Sequence, residues 1–448
     1  MNVDVAVVGA GPAGLAAASA AARTGVSVAL IDAAPRPGGQ FWRHRARGIA
    51  ADADLHHDLA TFARLRPGAG VTYLPGHQVW TVSDGCEIRA VGPSGELVVS
   101  ARYLVLAPGA YDRQIPFPGW DLPGVMTAGG AQALLKGQGV AAGQRVLVAG
   151  TGPFLLPVAA GLATRGATVV GVHEASHPAA WLRHPTTGVL GKLPEALGYL
   201  RVLRRHGVPV RYRSTVVAAI GSSHVTGVQL SNGERVPADV IAVGWGFTPQ
   251  LELPLAAGCD TRVDEDGSLV VAVDDDQFSS NPRVLVAGEA TGIGGAALAL
   301  TEGTIAGVAA GSAALGSPVP DLGRLRRRRA RLRTFARALH EVYPVPGGWT
   351  DRLADEVLIC RCEEVTAGEL RAAIELGATD ARTAKLLSRV GMGWCQGRVC
   401  GYAASCLTAR WTGTPYDPRG LAERPIASPV TLETLAALAQ NPEIESPR

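Results

Sequence analysis

The chain has 448 residues, with 42 Lys and Arg against 39 Asp and Glu and a formal net charge of +3. That balance gives no overall electrostatic support to nucleic-acid or anionic-membrane binding, and the length allows two to four domains with proper cores. Seven cysteines, four of them in two close pairs late in the chain, point to metal binding in a reducing compartment rather than disulfides, so the cytoplasm is the expected location. The N-terminus begins almost directly in a strand, so no signal peptide is expected. The most apolar long run, Gly294 to Leu315, carries Glu302 and several glycines. It reads as a packed helix, so no transmembrane segment is expected.

From Asp4 to Asp32 the sequence reads as a strand (Val5 to Val8), a glycine turn, a small-residue helix, and a second strand (Val26 to Ile31) closed by an acid. The turn is Gly9-x-Gly11-x-x-Gly14, with Pro12 and Ala13 opening the helix. Gly9 permits the tight turn, Gly11 lets the backbone approach a pyrophosphate, and Gly14 lets the helix pack on the strand. The helix N-terminus offers free N–H groups to the phosphates. Asp32 falls where a carboxylate binds a ribose hydroxyl. Strand, turn, helix, strand and acid in this order predict a bound dinucleotide.

Next, Gly38-Gly39-Gln40-Phe41-Trp42 places Gly39 and Gln40 where the backbone can pass a flavin's diphosphate and ring; taken alone it is also an ordinary Pro/Gly loop. Leu55 to Leu65 is expected to be helical, Val71 to Val99 to form short strands, and Tyr103 to Ala110 a buried strand ending in a small-residue turn at Gly109. A second strand-turn-helix starts at Arg145 and repeats the opening architecture. Gly150 and Gly152 match the first two glycines, but Leu155 replaces the third and is expected to push the helix off the strand. Pro153 and Pro157 crowd its first turn, and Glu174 takes the ribose-acid position. Both a working nicotinamide site and a degraded one fit this pattern.

Val225 to Val243 reads as short strands with an Asn232-Gly233 hairpin turn, and Val243 to Pro249 as the return to the first half. The strand at Val284 ends in Gly288-Glu289, where Glu289 can accept from a ribityl hydroxyl. Gly292-Ile293-Gly294-Gly295 then opens a long helix whose dipole would stabilise negative charge on a reduced flavin ring. The Gly-Gly, Gly-Glu and Gly295 motifs together make FAD the expected dinucleotide. Arg324 to Arg333 holds seven arginines, which read as a solvated amphipathic helix or as a docking face for an acidic partner.

The last block pairs Cys360 and Cys362 with Cys395 and Cys400 across a 32-residue spacer. Four thiolates in two close pairs can hold an iron–sulfur cluster or a zinc. One-residue spacing and glycine-rich flanks favour a 2Fe-2S cluster, because zinc prefers C-x2-C knuckles. Cys86, Cys259 and Cys406 read as buried bystanders. A disulfide reductase is disfavoured, since no redox cysteine pair follows Gly39-Gln40.

The predicted fold class is α/β: two dinucleotide-binding (Rossmann-like) domains of the glutathione-reductase type plus a small, mostly helical C-terminal 2Fe-2S domain. The expected divisions are 1–112 with 246–317 for FAD, 113–245 for a second NAD-binding-like domain, 318–357 for an Arg-rich helical linker, 358–415 for the cluster, and 416–448 for a tail. Pro123 to Gln132, the Gly150-Thr151-Gly152-Pro153 turn, Gly292 to Ala296 and the closing Gly391 to Cys400 block are the most specific motifs. Through them, over residues 1–415, the chain resembles the large (alpha) subunit of multimeric flavin-dependent amino-acid dehydrogenases of the hydrogen cyanide synthase, opine oxidase and hydroxyproline dehydrogenase type. The cysteine block resembles the bacterioferritin-associated-ferredoxin domain, which usually closes with C-x2-C rather than the C-x4-C found here.

The resemblance implies a relay subunit with no catalytic residue of its own. A DAO-type flavoprotein β subunit would oxidise the amino acid, beside a small ferredoxin-like γ subunit. Electrons would pass by an FMN at the subunit interface, the cluster and FAD to an acceptor such as quinone. The complex would be cytoplasmic, or peripheral at the inner membrane. Two other readings stay open: a self-contained NAD(P)H-dependent FAD oxidoreductase feeding a ferredoxin-like acceptor, and a non-catalytic redox scaffold.

Overall fold

The computed structural model describes residues 1–46, 58–83, 86–184, 187–422 and 426–439. Two sheets dominate it, the first mixed, with its Gln78–Ser83, Glu87–Gly92 and Gly95–Leu106 strands paired antiparallel, and the second parallel throughout. In the first, strands run in the order Val71–Pro75, Val28–Asp32, Asn2–Val8, Gly95–Leu106, Glu87–Gly92, Gln78–Ser83, and Val284–Val286 pairs with Gly95–Leu106. Its central strand is a near-continuous apolar run with Val5, Ala6 and Val7 fully buried, as a strand covered on both faces requires. The second sheet orders Val210–Tyr212, Thr168–Glu174, Arg145–Gly150, Val240–Gly244 and Val125–Thr127, all parallel. Between the two, Ala110–Asp112 pairs antiparallel with Phe247–Pro249, so the chain crosses out and back at one place.

The opening strand is longer than the sequence suggested, Asn2–Val8, and its neighbour starts later, at Val28. The expected helix at Leu55 to Leu65 is described only as Leu59–Leu65; residues 55–57 lie outside the described residues. In the second half the helix begins only at Leu155, whereas its counterpart begins at Pro12 directly after Gly11. Leu155 is fully buried, and a Cβ at Gly244 of the adjacent strand would lie 3.0 Å from its side chain. The leucine is therefore accommodated by a glycine opposite and a late helix start.

One helix, Ala296–Ala314, is long and apolar enough by composition to cross a membrane. It packs on the Pro12–Ala22 helix so closely that a Cβ at Gly303 or Gly307 would stand 2.0 or 2.2 Å from the backbone oxygen of Ala13 or Ala17. Glycines at four-residue spacing make a flat ridge, and the helix sits in the core of the first half. Within it Glu302, 2% exposed, accepts from the Gly288 N–H at 3.1 Å and forms a 2.7 Å ion pair with Arg333. Arg333 belongs to the Arg-rich helix Gly323–Val342, whose Arg326 and Arg329 pair with Asp276 and Asp275. Three of the seven arginines in the basic run thus clamp this chain to itself. Arg333→Leu strands the Glu302 carboxylate and is expected to lower stability by about 3 kcal/mol. Urea unfolding checks this, and an unchanged midpoint would mean that Gly288 and Thr291 suffice to hold Glu302.

The cysteine block is not a tethered bead. Trp120, Val125 and Leu147 of the second half share one hydrophobic cluster with Ile359, Cys360, Cys400 and Leu407. The Trp120 indole donates to the Leu358 carbonyl at 2.7 Å, and the Arg361 guanidinium lies 5.0 Å over the same ring.

Candidate functional site

The Gly9–Gly14 turn is built for close approach. A Cβ at Gly14 would stand 1.7 Å from the Gly9 carbonyl oxygen, so the helix rests directly on the turn. Gly11 is the N-cap residue of that helix, and no side chain caps it, which leaves the first-turn N–H groups facing outward. Beside it Gly39 comes close enough that a Cβ there would lie 2.9 Å from the Gly11 Cα. Asp32 accepts from the Ala10 N–H and, at 2.7 Å, from the Ala34 N–H, and burial raises its pKa. The carboxylate is thereby fixed at the end of its strand with its position set by backbone donors.

Gly9, Gly11, Pro12, Ala13, Asp32, Gly39, Gln40, Gly109, Gly288, Glu289 and Gly295 all line one cavity of about 2170 Å³. Gly14 does not; its work is packing. Glu289 accepts from Gly294 N–H at 2.8 Å and Gly295 N–H at 3.0 Å, and burial raises its pKa. Both its oxygens are thus engaged by the loop that opens the Ala296–Ala314 helix. Glycine cradle, uncapped helix terminus and bracing acids fit the diphosphate, ribityl and ring portions of a flavin dinucleotide.

The cavity exceeds the roughly 300–1,000 Å³ of ordinary ligand pockets, because it continues into the second half along Thr151 to Pro157, Glu174 and Tyr212. There Glu174 repeats the Asp32 arrangement, accepting from Gly152 and Ser176 N–H groups at 2.9 Å each. The late start at Leu155 moves the helix terminus away from the Gly150–Gly152 turn, which weakens the anion site that a phosphate would use.

The four paired cysteines come together. The Cys360 thiol is pulled down to about 5 by the Cys400 thiol, against burial, with help from the Gly391, Glu363 and Cys362 N–H groups. Cys400 is pushed well up by the same contact with Cys360 and by burial. Cys362 and Cys395 form the second contact, and a Cβ at Gly393 would stand 2.3 Å from that of Cys362. Among the described residues no three His, Cys, Asp or Glu side chains converge as a single-ion site. Two thiol pairs ringed by backbone donors suit cluster sulfides, and the donor set fits a 2Fe-2S group. Cys360 and Cys400 are buried while Cys362 is exposed, so the set has an inner and an outer side.

Sequence reasoning missed the residues that join this set to the cavity. Arg398, between Cys395 and Cys400, donates to the Tyr111 hydroxyl at 2.7 Å and pairs with Glu252 at 3.0 Å; all three line the cavity. An arginine inside the closing C-x4-C was the one available signal. It also missed Asp266, whose carboxyl burial would raise but which the His340 hydrogen bond and the Arg113 guanidinium hold well below the usual range. His340 in turn contacts the Ile293 carbonyl at 3.1 Å, beneath the Gly292–Gly295 loop.

Comparison with known proteins gives two family matches. Residues 3–305 match the pyridine nucleotide-disulphide oxidoreductase family and residues 358–407 the BFD-like [2Fe-2S] binding domain. An opine oxidase subunit of Rhizobium meliloti (strain 1021) is 36% identical over 98% of this chain and 99% of its own length. The hydrogen cyanide synthase subunit HcnB of Pseudomonas aeruginosa is 34% identical over 91% of this chain and 93% of its own. Among solved structures, L-proline dehydrogenase from P. horikoshii superposes with a TM-score of 0.72 at 21% identity, over 97% of this chain and 79% of that one.

Proposed function

Because the chain belongs to the pyridine nucleotide-disulphide oxidoreductase family and carries a BFD-like [2Fe-2S] domain, we propose that this FAD-dependent oxidoreductase is the electron-relay subunit of a heteromeric amino-acid dehydrogenase. Its substrate would be of the hydroxyproline, proline, opine or glycine type and would be oxidised on a DAO-type flavoprotein partner, with a small ferredoxin-like chain as a further partner. Bound FAD supplies two-electron and the cluster one-electron chemistry. Gly9, Gly11, Pro12 and Ala13 would hold the diphosphate on a turn that Gly14 packs from behind, and Asp32 would hold the ribose. Gly39, Gln40, Gly109, Gly288, Glu289 and Gly295 line the rest of the flavin, and Cys360, Cys362, Cys395 and Cys400 hold the cluster.

The observation that carries the reading is the two-sided thiol set. The Cys395–Cys400 loop reaches the flavin cavity through Arg398, which donates to the Tyr111 hydroxyl. On the outer side of the set, Trp394 directly before Cys395 is 84% exposed and Met392 37%, apolar groups of the kind that subunit interfaces cover. An FMN at that interface, a quinone as acceptor, and a cytoplasmic or membrane-peripheral complex complete the proposal. The division into 1–112 with 246–317, 113–245, 318–357, 358–415 and 416–448 accompanies it, the strand at Val284–Val286 joining the first sheet as such a split requires.

The test is to purify the chain alone and together with its co-expressed partners. The isolated chain should carry flavin and iron yet oxidise no amino acid, while the complex does. Full dehydrogenase activity in the isolated chain would falsify the relay. The cavity's extension to Glu174 supports a second reading, a reductase that takes hydride from NAD(P)H. Bleaching of the flavin by NADH under anaerobic conditions would favour it.

A further inference from the structure

Lys136 lies on the last turn of the Ala128–Gln138 helix and lines the cavity, yet its side chain is only 9% exposed. Among the described residues it has neither a hydrogen bond nor an ion pair. Burial pushes its pKa down, and the one charge acting on it, Arg43, is a second cation that pushes it further. Arg43 lines the same cavity and, among the described residues, donates only to the Gln40 side-chain oxygen, at 3.1 Å. A hydrogen bond from Ala46 N–H to the Gly137 carbonyl, at 2.8 Å, ties the Arg43 segment to the end of the Lys136 helix. No carboxylate acts on Lys136, and three acids that line the same cavity are engaged elsewhere: Asp32 by Ala10 and Ala34, Asp112 by Thr127 and Gly129, Glu289 by Gly294 and Gly295. A buried ammonium without a counter-charge is costly, and an adjacent guanidinium makes it costlier. Such an arrangement persists where a ligand supplies the missing charge.

From this pair of unpaired cations we infer that Lys136 and Arg43 form an anion site for the phosphate group of a second small molecule, bound in the cavity beside FAD. Two cations balance the charge of about −1.5 to −2 on a phosphate monoester, whereas a carboxylate would leave one uncompensated. Arg43 brings a planar fork and Lys136 a point charge, the usual complements for phosphate oxygens. The pair is built on different elements from the diphosphate cradle: Gly11 and Gly39 face one another, whereas Lys136 lies on the Ala128–Gln138 helix, where a Cβ at the adjoining Gly137 would stand 3.5 Å from Arg43 Cδ. Nothing in it depends on where the amino acid is oxidised.

The test uses FAD-loaded protein titrated calorimetrically with inorganic phosphate and, separately, with acetate. Wild type should bind phosphate more tightly than acetate, and Lys136→Met and Arg43→Gln should each weaken phosphate by about tenfold or more. Without phosphate, Lys136→Met should raise Tm by roughly 1–3 °C, since an uncompensated buried charge is gone. Phosphate affinity unchanged in both variants, or acetate bound as tightly as phosphate, would overturn the inference. So would loss of FAD in step with loss of phosphate binding, which would assign the pair to the FAD diphosphate. If Lys136→Met does not fold, Arg43→Gln alone decides between these outcomes.

Discussion

Cys395→Ser should leave a protein that is still yellow but has lost nearly all of its iron and acid-labile sulfide. The choice of cysteine follows from burial. Cys360 and Cys400 are part of the hydrophobic cluster that also contains Trp120 and Leu147, so a polar replacement there disturbs the second nucleotide half as well. Cys395 is partly exposed, on the outer side with Cys362. A serine hydroxyl keeps its volume but is a poor ligand for a cluster that needs four thiolates. The glycine cradle at Gly9–Gly14 contains none of the cysteine contacts, so the flavin should stay. Iron and flavin are read on the same sample by metal analysis and visible absorbance. Loss of both together would show that the cluster block and the flavin half fold as one cooperative unit through Arg398 and Tyr111, and would contradict two independently loaded centres.

The second large effect is expected at Gly11. Its backbone is ordinary extended structure, φ −76° and ψ −173°, and a Cβ there would meet only the Gly39 Cα at 4.0 Å. A valine therefore fits the ligand-free fold at a cost of about 1 kcal/mol from the poorer N-cap. What it fills is the space over the helix terminus where the diphosphate approaches. Gly11→Val should accordingly fold, with a far-ultraviolet spectrum like that of wild type, and purify without FAD. The neighbouring Gly14→Ala makes the contrast: its Cβ would stand 1.7 Å from the Gly9 oxygen, so it should fail to fold at all. FAD retained by Gly11→Val at wild-type occupancy would refute the cradle.

Both predictions rest on residues that were legible in the sequence, for a common reason. A glycine turn between a buried strand and a helix restricts the local backbone so strongly that its spacing survives in the primary structure. The same holds for the C-x-C and C-x4-C pairs. The late helix start at Leu155 was half legible: the missing glycine announces a departure, but Gly244 across the sheet determines how the leucine is taken up. Lys136 and the Trp120 contact with Leu358 were not legible, and Arg398 was marked only by its place inside the closing C-x4-C. Each acts over a long sequence separation through burial, and a lone Lys, Arg or Trp carries no periodic signature. The Arg-rich run misled in one respect, since several of its guanidinium groups serve Asp275, Asp276 and Glu302 of this same chain.

The glycine ridge between the Pro12–Ala22 and Ala296–Ala314 helices has a consequence for biosynthesis. The ribosome delivers the first helix and the strand ending at Leu106 early, but the strand from Val284 and the helix that cover them come only after the entire second nucleotide half. Until then the nascent chain exposes an unpaired parallel edge and a bare alanine face. Non-local parallel pairing is slow, and such edges are where chains associate wrongly. The interrupted half should therefore be the last to close and the part most in need of a chaperone, even though its sequence comes first off the ribosome.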